Sequence, residues 1–288
     1  MRVVFSEKCL DYWAPWHPES PDRVFLALRL LGGKGFCLVT PKPCTQADLC
    51  FAHGREYVKG IRNGRIADAD SPNLPGIYDY AKLSAGAAVK SMEIALEGEK
   101  SFSLMRPPGH HAGICGRALG AVSLGFCYFN NIAVDCKKAL DKVDRVAIVD
   151  IDGHHGNGTQ EIFAGRRDVL FVSLHRYGFI YPGTGSRSEM NCLNYPLRYA
   201  VGNEGYLCAL KTGLKEVDRF DPDLIGVSAG FDTHRYDPYC SLGLDEDAYA
   251  EVGRMISELG RRTFAVLEGG YGRCSPECCN FLAGLEQT

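Results

Sequence analysis

The stretch RVAIVDIDGHHGNG at 145–158 constrains this chain more than any other. Arg145 is followed by Val146, Ala147, Ile148 and Val149, a short, nearly continuous apolar run rich in β-branched residues. This is the pattern of a strand covered on both faces within a parallel sheet. Polar, metal-competent groups then take over: Asp150, Asp152, His154 and His155, followed by Gly156, Asn157 and Gly158. In open α/β sheets ligands bind beyond the carboxyl ends of the strands, so chemistry is expected here. Asp152 and His154 can offer one carboxylate oxygen and one imidazole nitrogen to a single divalent ion. A third ligand from elsewhere would leave one position for water. An isolated Asp-x-His is also how an ordinary capping or hydrogen-bonded pair looks, so the reading depends on the other strand ends.

Those ends are informative. SFSLM at 101–105 reads as a strand that runs straight into RPPGHHAG, where Pro107 and Pro108 fix an extended approach and Gly109 permits a tight backbone. His110 and His111 follow, and histidines on a rigid loop suit proton transfer near neutral pH, although capping rings would look the same in isolation. LIGVSAGFD delivers Asp232 after a buried strand, and TFAVLE followed by GGY delivers Tyr271.

The rest of the chain reads as alternating strands and helices without repeats or low-complexity linkers. Strands are expected at 2–5, 36–40 and 169–175, and helices at 78–97, after GFCYFNNIAV to about 140, and near 204–217. Another helix is expected to begin near Arg23, capped by Ser20 or Asp22 of HPESPDRV. Residues 176–200 read as one long irregular segment, and loops of that length are usually functional. At 288 residues and 45% hydrophobic content, one α/β domain over 1–288 is expected. A net charge of −3 argues against a stable nucleic-acid partner, leaving basic peptides open as transient ones. No signal-peptide pattern or apolar run long enough for a membrane span occurs, so a cytoplasmic protein is expected. Thirteen scattered cysteines, an odd number, suggest free thiols. Cys274, Cys278 and Cys279 lack the paired CxxC spacing of a structural zinc site.

Together RPPGHHAG, DIDGHHGNG, VSLH, YPGTG, SAGFD and EGGYG resemble, in order and over nearly the whole chain, the histone deacetylase and acetylpolyamine amidohydrolase family. The resemblance implies the arginase–deacetylase fold, a mostly parallel sheet of about eight strands between helices. It implies one catalytic Zn²⁺, with Fe²⁺ as the alternative, held by Asp152, His154 and Asp232. His111 matches the general base and acid, His110 its electrostatic helper, Asp150 and Asn157 the residues orienting them, and Tyr271 the donor to the scissile carbonyl. The family often has Asp where this chain has Asn157, and a neutral amide raises a histidine pKa less. Gly125, Phe126 and Tyr181 resemble the walls of an acyl-lysine tunnel, Asp70 its rim carboxylate and Tyr239 a residue at its mouth. Asp150, Asp152, His154, Ser173 and Leu174 match an inner structural K⁺ site, and Phe163, Arg166 and Val169 lie where a second would be. The implied reaction removes an acetyl or related acyl group from an acylated amine or acyl-lysine peptide. An acetylpolyamine deacetylase, a dimetal ureohydrolase and an inactive acyl-lysine-binding module are the alternatives. A second metal would need carboxylates where Gly156 and Gly230 stand. Oligomeric state is not legible.

Overall fold

The buried apolar runs form strands of one sheet in the computed structural model, which describes residues 1–272 and 275–287. The strands are β1 (Arg2–Val4), β2 (Cys37–Val39), β3 (Ser101–Ser103), β4 (Ala112–Gly113), β5 (Gly116–Arg117), β6 (Val146–Asp150), β7 (Val169–Arg176), β8 (Cys192–Leu197), β9 (Leu224–Ala229) and β10 (Arg262–Leu267). β4 and β5 make a small antiparallel pair. The other eight form a parallel sheet in the order β2-β1-β3-β10-β9-β6-β7-β8. The helices are α1 (Asp22–Gly32), α2 (Gln46–Leu49), α3 (Arg55–Arg62), α4 (Ile77–Leu96), α5 (Asn131–Ala139), α6 (Asn157–Phe163), α7 (Gly202–Phe220), α8 (Glu246–Ser257) and α9 (Ser275–Glu286).

Period-two alternation explains why the central strands are apolar throughout. Ala147 and Val149 of β6, Val172 and Leu174 of β7, and Ile225 and Val227 of β9 share one core with α1, α7, α8 and α9. Val146 and Ile148, Val169 and Phe171, and Leu224 face a second core built with α3, α4 and α5. With both faces apolar, hydrophobicity alone would tolerate a slip of one residue; Asp150 would not, because a slip would move its carboxylate off the sheet's end. In register, Asp150 lies beside Ser173 and Ser228.

Two expectations need correction. The segment 176–200 is not wholly irregular, because β8 pairs with β7 as the sheet's edge. Its pattern was obscured by half-exposed alternate positions and by Pro196, which an edge strand tolerates. Neither Ser20 nor Asp22 caps α1: Pro21 holds the N-cap position with no side-chain bond, and Asp22 is already helical. Helices α2, α3, α6, α8 and α9 are not anticipated by the sequence reading. No disulfide joins the cysteines of the described residues. Cys278 and Cys279 are buried in α9, and Cys274 lies outside the described residues. No helix among the described residues is long and apolar enough to cross a membrane.

Candidate active site

Strands β3, β10, β9 and β6 are consecutive in the sheet, and the chain segments leaving their carboxyl ends meet. His154 Nδ1 lies 2.6 Å from Asp232 Oδ2 and 3.3 Å from Asp152 Oδ1. Backbone donors fix both carboxylates: Gly269 N–H bonds Asp152 Oδ2 and Gly153 N–H bonds Asp232 Oδ1, each at 2.7 Å. His154 N–H adds a bond to Asp152 Oδ1 at 2.8 Å. The sequence-expected ligand set is therefore assembled from two strands and held by a third.

This donor set suits a divalent cation. Asp150, Asp152 and Asp232 are all at most 1% exposed, and buried carboxylates are costly unless paired or metal-bound. Burial lifts the Asp232 carboxyl up to about 7, and the adjacent Asp152 charge adds to the lift. Carboxylate oxygens of Asp152 and Asp232 both lie within 3.3 Å of His154 Nδ1, and two carboxylates with an imidazole are donors suited to a catalytic ion. The two positions where a second ion would need carboxylates are glycines packed against these acids. A Cβ on Gly156 would come within 2.1 Å of Asp150 Oδ2, and one on Gly230 within 2.1 Å of Asp152 Oδ2. Among the described residues, the donor atoms here that all lie within 4.8 Å of one another are those of His154, Asp232 and Cys240, the last overlooked by the sequence reading. Burial pushes the Cys240 thiol well up.

The tandem histidines sit 4.0 Å apart, centroid to centroid, yet their environments differ. His110 Nδ1 faces Asp150 Oδ2 at 3.0 Å. Burial opposes its protonation, but the charges of Asp152 and Asp150 prevail and raise its pKa to about 10. His111 Nδ1 instead faces Asn157 Oδ1 at 2.7 Å. Burial, reinforced by His110 and His154, pushes His111 well below its ordinary pKa. Because an amide oxygen only accepts, Nδ1 carries the proton of neutral His111 and Nε2 keeps a lone pair. Gly158 permits this arrangement, since a Cβ there would meet the His111 and Ala112 backbone at 2.5 Å.

His111 and His154 form the floor of a cavity of about 200 Å³ whose remaining lining is Asp70, Gly125, Phe126, Tyr181, Tyr239 and Tyr271. The expected tunnel residues thus come together. Tyr181 packs 4.8 Å from the His111 ring and donates its hydroxyl to Ser123 O at 2.9 Å. Gly125 is required by this crowding, because a Cβ would fall 2.6 Å from His111 Cδ2. Phe126 sits at φ 68°, a left-handed conformation costly for an aromatic residue, and its ring stands 5.2 Å from that of Tyr271. The Asp70 carboxylate accepts from Ser123 Oγ at the rim.

Ser173 and Leu174 are fully buried on β7 beside β6, and Ser173 Oγ meets His175 Nδ1 at 2.9 Å. Phe163 and Val169 are buried, while Arg166 pairs with Asp168.

The sequence reading missed the charged girder behind Tyr271. Arg106, wholly buried, is bound by Glu19 through Nε at 2.7 Å and Nη2 at 2.8 Å. Glu19 also holds Arg23 at 3.0 Å. Arg23 in turn donates to the carbonyls of Gly270 and Glu268, and its guanidinium lies 4.6 Å from the Tyr271 ring. Glu268 Oε2 accepts from the Gly109 and His110 N–H groups. The available signal was charge inside otherwise turn-like motifs: Glu19 and Arg23 in HPESPDRV, and Arg106 before the double proline.

Comparison with known proteins identifies the family. The histone deacetylase domain family model matches residues 17–280. A probable deacetylase of Archaeoglobus fulgidus is 37% identical over 93% of this chain and 80% of its own. A histone deacetylase-like amidohydrolase of Pseudomonas aeruginosa is 35% identical over 95% of this chain and 77% of its own. The crystal structure of an acetylpolyamine aminohydrolase from Burkholderia pseudomallei superposes with a TM-score of 0.92 at 25% identity, covering 100% of this chain and 99% of that one. With the family model spanning nearly the whole chain, the protein belongs to the histone deacetylase family.

Proposed function

We propose that this chain is a metal-dependent amidohydrolase that removes acetyl or related acyl groups from acylated amines, acyl-lysine peptides among them. The observation that carries the reading is the different partnering of the two histidines beside Asp152, His154 and Asp232: His110 Nδ1 faces the Asp150 carboxylate, and His111 Nδ1 faces the Asn157 amide oxygen.

Asp152, His154 and Asp232 would hold one ion, which we take to be Zn²⁺ with Fe²⁺ as the alternative. When bound, such an ion acidifies water and polarises an amide carbonyl. His111 Nε2 then accepts the water proton and later returns it to the departing amine. His110, retaining its proton, stabilises the negative charge that develops nearby. The Tyr271 hydroxyl, pushed well up by burial and therefore neutral, donates to the carbonyl oxygen as it becomes an oxyanion. Phe126 and Tyr181 flank the acyl-bearing stem, and Asp70 and Tyr239 contact whatever carries it at the mouth. We assign Asp150, Asp152, His154, Ser173 and Leu174 to a structural K⁺ site, and residues 1–288 to one domain. A cytoplasmic setting suits a chain with many unbridged cysteines.

A panel of acetyl-lysine peptides, acetylpolyamines and longer acyl-lysines, assayed with protein loaded with Zn²⁺ or Fe²⁺, tests the reading. Turnover is expected, and Asp232→Ala should lose catalytic-site metal and activity together. No hydrolysis of any acylated amine by either metal form would refute it.

A further inference from the structure

Tyr271 also borders a second cavity, of about 650 Å³, whose lining includes His234, Glu246 and Glu277. One donor atom from each of these three lies within 4.8 Å of the other two. They come from separate elements: His234 follows β9, Glu246 opens α8 and Glu277 lies in the first turn of α9. His234 Nδ1 is 3.3 Å from Glu277 Oε1.

Glu277 distinguishes this group from an exposed acidic cluster. It is only 2% exposed, and its Oε2 has no hydrogen-bond partner. Carboxylates at helix N-termini are ordinarily explained by the helix dipole. That account leaves a buried oxygen unsatisfied and does not explain why an imidazole converges on two glutamates. The cavity is acidic beyond the three: Asp22 and Asp237 share its wall, and Arg23, the arginine among the described residues that line it, is turned onto Glu19 and two backbone carbonyls. The scaffold is firm, because Asn280 Nδ2 ties α9 to Glu246 O at 2.9 Å and Asp237 N–H donates to His234 O at 3.0 Å.

We propose that His234, Glu246 and Glu277 bind a second, non-catalytic divalent transition-metal ion, of which Zn²⁺ is the type, with water from the cavity completing its coordination. One imidazole and two carboxylates are hard-to-borderline donors suited to such an ion. It would tie the segment that delivers Asp232 to the amino ends of α8 and α9, behind Tyr271. The proposal is independent of the deacetylase reading.

Equilibrium dialysis of the full chain against micromolar Zn²⁺, with metal counted by elemental analysis, tests it. Wild type should reach two ions, Asp232→Ala one, Glu246→Gln one, and the double variant none. In the Asp232→Ala background, Zn²⁺ should raise Tm, and adding Glu246→Gln should abolish the rise. Glu277→Gln should behave like Glu246→Gln; because Glu246 is exposed, its variant keeps the test valid if the buried one fails to fold. Wild type saturating at one ion that Asp232→Ala removes would overturn this site and leave the catalytic one standing. A second ion that survives Glu246→Gln with undiminished affinity would overturn it as well. Asp232→Ala retaining both ions would instead count against the catalytic ligand set.

Discussion

Asn157 is locked between two partners: its Oδ1 lies 2.7 Å from His111 Nδ1, and its Nδ2 donates to Ala118 O at 2.9 Å. The second bond fixes which end of the amide faces the histidine. It also explains why a carboxylate is not interchangeable here, since one of its oxygens would confront the Ala118 carbonyl.

Asn157→Asp should therefore have two separable effects. A carboxylate on Nδ1 favours the imidazolium, so the His111 pKa rises; because the base works unprotonated, the acidic limb of kcat/KM should move to higher pH. The unpaired oxygen against Ala118 should cost about 1–3 kcal/mol of stability. Profiles recorded with the metal-loaded variant check the first effect and urea unfolding the second. An acidic limb that stays in place or moves down would remove His111 from the base role.

Tyr271 stands on a turn whose shape the surrounding charges enforce. A Cβ on Gly269 would approach Asp152 Oδ2 to 2.4 Å, Gly270 adopts φ 118°, and Arg23 holds the carbonyls on either side of Gly269. Tyr271→Phe keeps the ring and the turn, so catalytic-site metal should be retained while kcat falls roughly a hundredfold or more, the usual effect of losing an oxyanion donor. Near-normal turnover would exclude the hydroxyl from the mechanism.

The parts of this site legible in the sequence are those where polarity breaks an apolar strand abruptly. Val149 to His154 and Met105 to His111 are such breaks, and the structure brings both to one crevice. Arg106 and Glu19 escaped because they are buried charges that satisfy each other from 87 positions apart, a pairing no local pattern encodes. Cys240 escaped because a lone cysteine has no periodicity. Helices α8 and α9 pack closely on each other, so their stability comes from tertiary burial more than from the local signals that mark α4.

His53 supplies a pH dependence of stability separate from the ligand cluster. Its Nδ1 bonds Gly113 O and its Nε2 accepts from Asn130 N–H, both at 2.8 Å, so the neutral ring is fully used in holding the loop after His111. Burial lowers its pKa to about 4. With the folded pKa below the unfolded value of about 6.5, the unfolded state takes up the proton first, so stability falls as pH drops between those values. The loss from this group should be about 2 kcal/mol between pH 7 and pH 5. Urea titrations of wild type and His53→Gln should show a pH dependence flatter by about that amount in the variant; parallel curves would show that His53 does not titrate in this way.

Tyr239 decides the last prediction, which concerns substrate. It is 46% exposed at the cavity mouth, its ring 5.3 Å from Tyr271 and 6.3 Å from Phe126. Where a carboxylate would attract a cationic amine strongly, a neutral aromatic ring offers about 0.5–1 kcal/mol through its face at an exposed site. The carboxylate at the mouth, Asp70, is already engaged by Ser123 Oγ, which suits a rim that orients a peptide backbone more than one that captures a free ammonium. Acetyl-lysine peptides should therefore be turned over at least as efficiently as N-acetylputrescine or N-acetylspermidine, and Tyr239→Glu should shift the ratio of kcat/KM toward the polyamines. If an acetylpolyamine exceeds every acetyl-lysine substrate by a factor of about 100, nearly 3 kcal/mol of transition-state preference, Tyr239 is not the discriminating residue. Asp70→Asn would then be the informative variant, because loss of the polyamine preference in it would assign the selection to that carboxylate.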